Sequence, residues 1–235
     1  MIRTIGILVG LFFSYAALVA FGSGAITVLG QGYFVEPTAE SEFHKHPRDV
    51  SFQSDGWFGT FDREQLQRGF QVYREVCAAC HALKHVAFRD LEALGYNEAE
   101  IKAIAAESQI PKYNPDTGEL VTEAGLATDY FPPVLYAGTG SPPDLSLIAK
   151  ARHNGGPYVY SLLTGYQEVP AEQLEKFPES GPGAGLYYNP YFANLNLAMA
   201  PPLSDGIVSY ADGTEASVDQ MAKDVSAFLI WAAEP

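Results

Sequence analysis

Residues 75–84, EVCAACHALK, hold the chain's two cysteines, Cys77 and Cys80, with His81 directly after the second. A Cys-x-x-Cys pair serves three chemistries: a thiol redox couple, half of a zinc site, and thioether attachment of haem, which adds the following histidine as an iron ligand. Two cysteines three residues apart on a helical turn point the same way and can both reach one porphyrin edge. The pentapeptide therefore favours haem, and the plain alternative is a buried cysteine pair.

Zinc and thiol chemistry have weaker support from the rest of the sequence. A structural zinc site needs about four N or S ligands, and outside the motif the sequence offers His44, His46, His85 and His153. Zinc folds usually have two ligand pairs separated by about a dozen residues, and this sequence has no such spacing. No βαβ pattern, which a thioredoxin-like couple would need, surrounds residues 60–100. His44 and His46 are predicted to be ordinary surface residues.

Haem iron needs a second axial ligand, and the candidates are Met199, Met221 and the spare histidines. His85 lies one turn beyond His81 on the same side of the haem, so it cannot easily reach the opposite face. Met221 lies on an apolar helical stripe and is predicted to be core. Met199 lies in NLAMAPPLSDG, where two prolines hold a stiff, extended loop that can present a sulfur atom. A His/Met pair would raise the potential, although a gap-filling role for Met199 stays open.

Two helices are predicted to position the motif. The first begins at Asp62, whose carboxylate can cap the first turn while Gln65 reaches back. A glycine in a helix interior costs about 1 kcal/mol, so Gly69 indicates the close approach of another helix. Residues 215–233 form the predicted partner. Small c-type cytochromes close with two crossing terminal helices, so the predicted fold class is mainly α with long loops around one haem. The two apolar faces are Leu66, Gly69, Phe70 and Tyr73, and Val218, Met221, Val225, Phe228 and Ala232.

The N-terminus carries a second signal, since residues 4–35 contain no charge and follow Arg3. About 20 apolar residues span a bilayer, whereas a secretory signal has an apolar core of about 7 to 15 residues and a clear cleavage site. A retained anchor is therefore favoured over a cleaved signal, with GSGA at 22–25 as a weak cleavage candidate. The positive-inside tendency places Arg3 in the cytoplasm and the remaining chain across the membrane.

Composition and charge set further limits. With 47% hydrophobic residues the chain can form one packed domain, and its formal charge of -14 argues against nucleic acid and suits a basic partner. Many of the acids fall between Glu92 and Asp129, where an ordinary solvated acidic surface is the simpler interpretation. The predicted organisation is a membrane anchor or signal at 1–35, a tether at 36–60 and a cytochrome c domain at 61–235.

Several longer strings resemble cytochrome c1, the haem subunit of the cytochrome bc1 complex, in its alphaproteobacterial branch. They are GTFDREQLQRGFQVYREVCAACHALKHVAFRDLEALGYNEAEI, PPDLSLIAKARH, YVYSLLTGY, YYNPYF and AMAPPLSDG. With gaps, the resemblance runs from about Gly59 to Pro235, and several of the strings are more specific than CxxCH alone.

The resemblance implies a role for each matching residue. Cys77 and Cys80 would carry the thioethers of one covalent haem c, His81 would be the proximal ligand and Met199 the distal one. Arg152 would lie near a haem propionate, since guanidinium and carboxylate form a charge-assisted pair; otherwise it is an arginine favoured by a helix C-terminus. The residues that would line the haem pocket are Pro142, Pro143, Tyr158, Leu162, Phe192 and Leu197.

The resemblance also implies electron transfer rather than bond chemistry at this subunit, so the chain is not an enzyme on its own. The haem would take one electron from a Rieske iron-sulfur protein and pass it to a soluble or membrane-bound cytochrome c. Cytochrome b would be a further partner in a dimeric complex in the bacterial inner membrane, with the haem domain in the periplasm. The alternatives are a stand-alone membrane-tethered monohaem cytochrome and a non-redox zinc or thiol module.

Two departures from the family pattern stand out. The stretch before PPDLS reads YFPPVLYAGTGS, where the family usually has a longer segment rich in Ala and Asn, so an expected amide contact to the haem is missing or moved. Family members also usually continue from a terminal helix into a C-terminal membrane anchor, whereas this sequence stops at WAAEP. Either the sequence ends early or the N-terminal run is the only anchor. Some members carry an extra cysteine pair, which this chain lacks, so no structural disulfide is expected.

Overall fold

The computed structural model describes residues 2–30, 36–138 and 140–234. The chain divides between Thr38 and Ala39 into two compact units. The first unit contains helix α1, Ile2–Gly30, whose one charged residue is Arg3. By length and composition α1 can cross a bilayer, a property that N-terminal signal sequences share.

The second unit is mainly helical, as predicted. Its α-helices are α2 Ala39–Phe43, α3 Arg63–Val72, α4 Glu98–Ala106, α5 Ile148–Ala151, α6 Gly155–Leu163, α7 Ala171–Lys176 and α8 Val218–Ala232. A π-helical turn covers Tyr73–Cys77, and 3-10 helices cover Phe88–Leu94 and Pro178–Ser180. Two antiparallel hairpins pair β1 Gln109–Tyr113 with β2 Leu120–Ala124 and β3 Tyr187–Tyr188 with β4 Asn196–Leu197.

Helix α3 begins where the sequence predicts. The Asp62 carboxylate accepts hydrogen bonds from the backbone N–H groups of Glu64 at 3.0 Å and Gln65 at 3.3 Å. The Gln65 side chain does not reach back to the cap, and that detail of the prediction is wrong. It donates instead to the Asp224 carboxylate at 3.1 Å, because a buried carboxylate requires hydrogen-bond donors.

Helices α3 and α8 cross at Gly69, which confirms the predicted close approach. A Cβ atom added to Gly69 would lie 2.7 Å from the Phe228 Cβ and would collide with the Asp224 carbonyl oxygen. Around this crossing the aromatic rings of α3 and α8 pack directly, with the Phe70 and Phe228 centroids 5.6 Å apart. Met221 is fully buried in the same core, as predicted.

A polar network fastens the same two helices together. Arg68 Nε donates to Asp224 Oδ2 at 3.0 Å, and Arg68 Nη1 donates to Asp212 Oδ2 at 2.8 Å. The other oxygen of the Asp224 carboxylate accepts from Gln65 and, at 2.8 Å, from Gln220 Nε2. The Asp224 side chain is fully buried, and these donors compensate the loss of its hydration.

The segment predicted as a tether contacts helix α6 and the loop after β3. The Arg48 N–H donates to Ser161 Oγ at 2.7 Å, and its Nε donates to the Tyr191 hydroxyl at 2.9 Å. The Lys45 N–H donates to the Pro190 carbonyl at 2.7 Å. The start of the cytochrome domain at residue 61 stays a prediction.

Candidate functional site

Helix α3 leads directly into the Cys-x-x-Cys-His motif through a widened turn. In the π-helical turn Tyr73–Cys77, the Ala78 N–H donates to the Tyr73 carbonyl at 2.8 Å. Such turns are rare and often occur at functional sites. The N–H groups of Cys80 and His81 then both donate to the Cys77 carbonyl, at 3.1 and 2.9 Å. One turn of chain therefore carries both thiols and the imidazole.

The two cysteines are free and half-buried. Burial raises the pKa of the Cys77 thiol to about 12, and the neighbouring Cys80 adds to the shift. At neutral pH the Cys77 sulfur is therefore a neutral thiol, whereas redox couples use a readily formed thiolate. This environment argues against the thiol-redox alternative.

The zinc alternative also lacks a ligand set in the part of the chain that the structure describes. No group of three or more His, Cys, Asp or Glu side chains there could hold a metal ion. His44 and His46 are exposed in the segment that follows α2, as predicted.

The His81 ring is oriented by the segment 142–146, PPDLS, which we call the PPDLS segment. The Nδ1 atom of His81 lies 2.7 Å from the carbonyl oxygen of Pro143. A carbonyl oxygen can only accept, so Nδ1 carries the proton and Nε2 keeps a lone pair for a metal. Metal-ligating histidines are commonly held by this kind of bond from the second ring nitrogen.

Backbone contacts fix the PPDLS segment against the chain that follows the motif. The Leu145 N–H donates to the Ala82 carbonyl at 2.9 Å. The Lys84 N–H donates to Asp144 Oδ2, and the His85 N–H donates to the hydroxyl of buried Ser146, both at 3.0 Å. Because these bonds anchor both partners, the Pro143 carbonyl is a fixed acceptor for His81.

Arg152 and helix α6 follow the PPDLS segment. Arg152 is exposed at the end of α5, and its Nη1 donates to the Ala151 carbonyl at 3.1 Å. Its guanidinium forms no ion pair with a carboxylate among the described residues. Tyr158 and Leu162, both predicted pocket residues, lie on α6 and are half-buried.

Met199 lies two residues after hairpin strand β4 and is half-buried. Leu197, in β4, and Phe192, in the loop between β3 and β4, are half-buried as well. The carbonyl oxygen of Met199 accepts a hydrogen bond from the Tyr166 hydroxyl at 3.0 Å. The hairpin thus holds three of the predicted site residues within eight positions of the chain.

The donor set and its surroundings fit a covalently attached haem. Cys77 of the motif, Tyr158 of α6 and Leu203, four residues after Met199, all pack on one hydrophobic core while remaining half-buried. Apolar side chains that stay partly exposed provide the surface that a flat macrocycle requires. Two thiols, an imidazole with Nε2 available and a thioether on a proline-stiffened segment supply the donors.

The departure from the family pattern lies beside Cys80. A pocket of about 500 Å³ is lined by Cys80, Ala82, Lys84, Pro142, Asp144 and most residues from 133 to 141. Pro142 is half-buried, while Pro143 is exposed. The stretch YFPPVLYAGTGS contains no Asn or Gln, so no side-chain amide from it can replace the expected contact.

Sequence reasoning missed three groups that hold the candidate ligands. They are the Pro143 carbonyl, the Tyr166 hydroxyl and the hydroxyl of buried Tyr73, which donates to the His81 carbonyl at 3.0 Å. Each of these contacts uses a backbone carbonyl, which every residue possesses. No residue type or spacing could therefore have marked these partners.

Comparison with known proteins gives one family. Residues 52–235 match the family described as the Cytochrome C1 family. A protein named cytochrome c1 from Rhodospirillum rubrum is 44% identical over 207 residues, which cover 81% of this chain and 75% of that protein. This relative agrees with the predicted alphaproteobacterial branch.

Eukaryotic proteins are similar to the chain at the same level. "Cytochrome c1, heme protein, mitochondrial" from Neurospora crassa is 43% identical over 229 residues, covering 94% of this chain and 67% of that protein. "Cytochrome b-c1 complex catalytic subunit, mitochondrial" from Candida albicans is 44% identical over 203 residues, covering 83% of this chain and 68% of that protein.

Proposed function

The chain belongs to the cytochrome c1 family, and from this membership we propose that it is the haem-containing electron-transfer subunit of a cytochrome bc1 complex. The names of the relatives from Neurospora crassa and Candida albicans, a haem protein and a b-c1 complex subunit, support the proposal. The observation in this chain that carries it is the His81 ring, held through Nδ1 by the Pro143 carbonyl within a CxxCH turn.

The proposed cofactor is one haem c. Cys77 and Cys80 form its two thioether bonds, His81 provides Nε2 as the proximal ligand and Met199 provides sulfur as the distal ligand. When bound, this haem supplies a reversible one-electron change at iron. The chain contributes ligand choice, since a His/Met pair favours a higher potential than two histidines.

Other residues of the chain would hold the haem periphery. Arg152, exposed and without a carboxylate partner among the described residues, is available to a propionate. The apolar edge would contact the pocket residues Pro142, Pro143, Tyr158, Leu162, Phe192 and Leu197. All of them except the exposed Pro143 are half-buried, which supports this role, because an apolar surface left open by the protein is what the porphyrin would cover.

The proposed partners follow from the family. One electron arrives from a Rieske iron-sulfur subunit and leaves to a soluble or membrane-bound cytochrome c, with cytochrome b as the third redox subunit of a dimeric complex. The chain is then an electron carrier and has no catalytic residues of its own. A formal charge of -14 favours a basic electron acceptor over nucleic acid.

The proposed location is the bacterial inner membrane, with the haem domain in the periplasm. Helix α1 supports the membrane assignment by its length and composition, and Arg3 at its start suits a cytoplasmic N-terminus. Whether α1 is retained as an anchor or removed as a signal is decided by the mass of the mature protein.

The proposal is tested by absorbance spectra of the purified protein, oxidised and dithionite-reduced. We expect a reduced c-type α-band and, in the oxidised protein, the weak red-end band that reports methionine sulfur on ferric haem. The variant Met199→Leu should keep the α-band and lose the sulfur band, while Met221→Leu, a change in the core, should keep both. A colourless protein would contradict haem binding and favour zinc or thiol chemistry for the motif.

A stand-alone membrane-tethered cytochrome would give the same spectra. Purification from membranes in mild detergent separates the two candidates. A bc1 subunit co-purifies with a cytochrome b and a Rieske protein, whereas a stand-alone cytochrome is recovered without them.

A further inference from the structure

Tyr166 hydrogen-bonds to the segment of Met199 but is not among the residues proposed above to bind the haem. Its hydroxyl donates to the Met199 carbonyl at 3.0 Å, joining the chain after α6 to the chain after β4 across 33 positions. The ring is half-buried.

The segment that carries Met199 has few other constraints. Within the described structure, residues 198–203 make no hydrogen bond other than the one from Tyr166. Pro201 and Pro202 lack N–H groups and have a fixed φ, so the segment is stiff, and apart from the bond from Tyr166 it is held by the packing of Leu203 on the core. The Tyr166 hydroxyl is therefore the polar contact that holds the Met199 backbone between strand β4 and the packed side chain of Leu203.

The backbone next to Tyr166 is restricted by close packing and by a hydrogen bond. Gly165, just before Tyr166, is buried, and a Cβ atom there would lie 2.9 Å from Asn189 Oδ1. Asn189 Nδ2 donates to the Leu162 carbonyl at 2.7 Å, which fastens the end of α6 to the β3–β4 hairpin. Because the backbone before Tyr166 cannot shift easily, its hydroxyl provides a stable reference point for Met199.

We propose that Tyr166 is a positioning residue for the distal methionine. Its hydroxyl holds the Met199 backbone at the distance from which the sulfur reaches the iron, and its loss makes the sulfur easier to displace. This inference rests on the proposed function, because it takes Met199 as the distal ligand.

The test is displacement of the methionine by imidazole in the oxidised, haem-loaded protein. Imidazole replaces sulfur on ferric haem, and the loss of the red-end band measures its apparent binding constant. The variant Tyr166→Phe removes one hydroxyl and keeps the ring. Loss of one buried hydrogen bond should tighten apparent imidazole binding about fivefold relative to the unmodified protein.

The matched control is Tyr160→Phe on helix α6. It makes the same chemical change, and the hydroxyl that it removes donates to Asp219 rather than to the Met199 segment. We expect Y160F to bind imidazole as the unmodified protein does, even if both variants unfold at a lower temperature. Equal tightening in Y160F and Y166F would show general loosening and overturn the proposal, as would unchanged binding in Y166F.

A rescue variant keeps the test decisive if Y166F is poorly recovered. Incorporation of 4-aminophenylalanine at position 166 restores an N–H donor in nearly the same place, and imidazole binding should return toward that of the unmodified protein. The proposal fails if the protein with 4-aminophenylalanine at position 166 binds imidazole as tightly as Y166F does. If Y166F cannot be recovered, the proposal fails when that protein binds imidazole about fivefold more tightly than the unmodified protein. A sulfur band that is missing from the unmodified, haem-loaded protein would instead refute the proposed assignment of Met199 as the distal ligand, and a colourless protein would refute the proposed function.

Discussion

The effect of truncating Asp224 depends on the partners that its carboxylate would leave unpaired. Asp224 is a fully buried carboxylate that receives donors from Gln65, Arg68 and Gln220. Truncating it removes several hydrogen bonds and leaves the mostly buried Arg68 with only the more exposed Asp212 as a partner. Removing one member of a buried ion pair is costly because the remaining charge stays poorly hydrated.

We expect Asp224→Ala to lower the free energy of unfolding by about 2–4 kcal/mol, since Asp212 still compensates part of the Arg68 charge. Urea unfolding of the haem-loaded protein measures the change. The control is Glu98→Gln, which breaks the exposed Glu98–Lys102 pair and should leave the midpoint unchanged. Equal midpoints for the two variants would contradict the role given to Asp224.

The sequence predicted some residue roles and not others, for a physical reason. Helical periodicity predicts that Met221 lies in the core, and the polar loop around His44 and His46 predicts that both are exposed; the structure confirms these predictions. The bonds of Tyr166 and Pro143 were not predictable, because a backbone carbonyl becomes an acceptor for a given side chain only once the fold brings them together. The ligand roles of Cys77, Cys80, His81 and Met199 stay predictions.

At the scale of elements, the α3–α8 crossing depends on Gly69. Alanine is the better helix former by about 1 kcal/mol, yet a Cβ atom there would lie 2.7 Å from the Phe228 Cβ. We expect Gly69→Ala to destabilise the haem-loaded protein by about 2–3 kcal/mol net, since forced separation of packed helices outweighs the propensity gain.

A glycine in an open position gives the comparison. A Cβ atom on Gly181 would make only ordinary contact, 3.5 Å from a Leu174 methyl group. Thermal unfolding of Gly181→Ala should therefore match that of the unmodified protein. If Gly69→Ala were equally stable, the close packing of α3 on α8 would not describe the protein in solution.

The elements that the sequence predicted are those with a strong helical period. The apolar faces of α3 and α8 are visible in the sequence because apolar residues recur every three to four positions, and the cap at Asp62 is visible from its residue type. In the structure α8 is buried beyond the one predicted face, from Met221 to Leu229 except at Lys223. The hairpin of β1 and β2 was not predicted, because in the described structure its strands are mostly exposed and lack a period-two apolar pattern. The hydrogen bond from Gln65 to Asp224 joins two helices that are distant in the sequence, so the residues around Gln65 do not predict it.

For the whole molecule, the dominant feature is acidic charge on the exterior. The acids Glu98, Glu100, Glu107, Asp116, Glu119 and Glu123 are all exposed. Nearby bases neutralise part of this region: Arg74 pairs with Glu107 at 2.7 Å, and Lys102 pairs with Glu98 at 2.6 Å. With 28 acids against 14 bases in the chain, a large negative excess remains to act on a charged partner.

Electron transfer to a basic cytochrome c should therefore slow as salt is added. Between about 0.01 and 0.15 M ionic strength the Debye length falls from about 30 to 8 Å, and we expect the second-order rate constant to fall about tenfold or more. Stopped-flow absorbance measures the rate. Oxidation by an uncharged small molecule should not respond to salt, and an unchanged rate with cytochrome c would remove the docking proposal.

The π-helical turn Tyr73–Cys77 has a consequence for how such proteins are recognised in genomes. Each residue of an α-helix rotates its side chain by about 100° around the axis. Gly69 fixes α3 on α8, so the eight residue steps from Gly69 to Cys77 determine the angular position of the whole CxxCH group around the helix axis. A deletion of one residue between them would leave the pentapeptide intact in a pattern search and turn His81 away from Pro143. In this chain the spacing to the helix-crossing glycine therefore sets the orientation of His81 toward Pro143, which the pentapeptide alone does not specify.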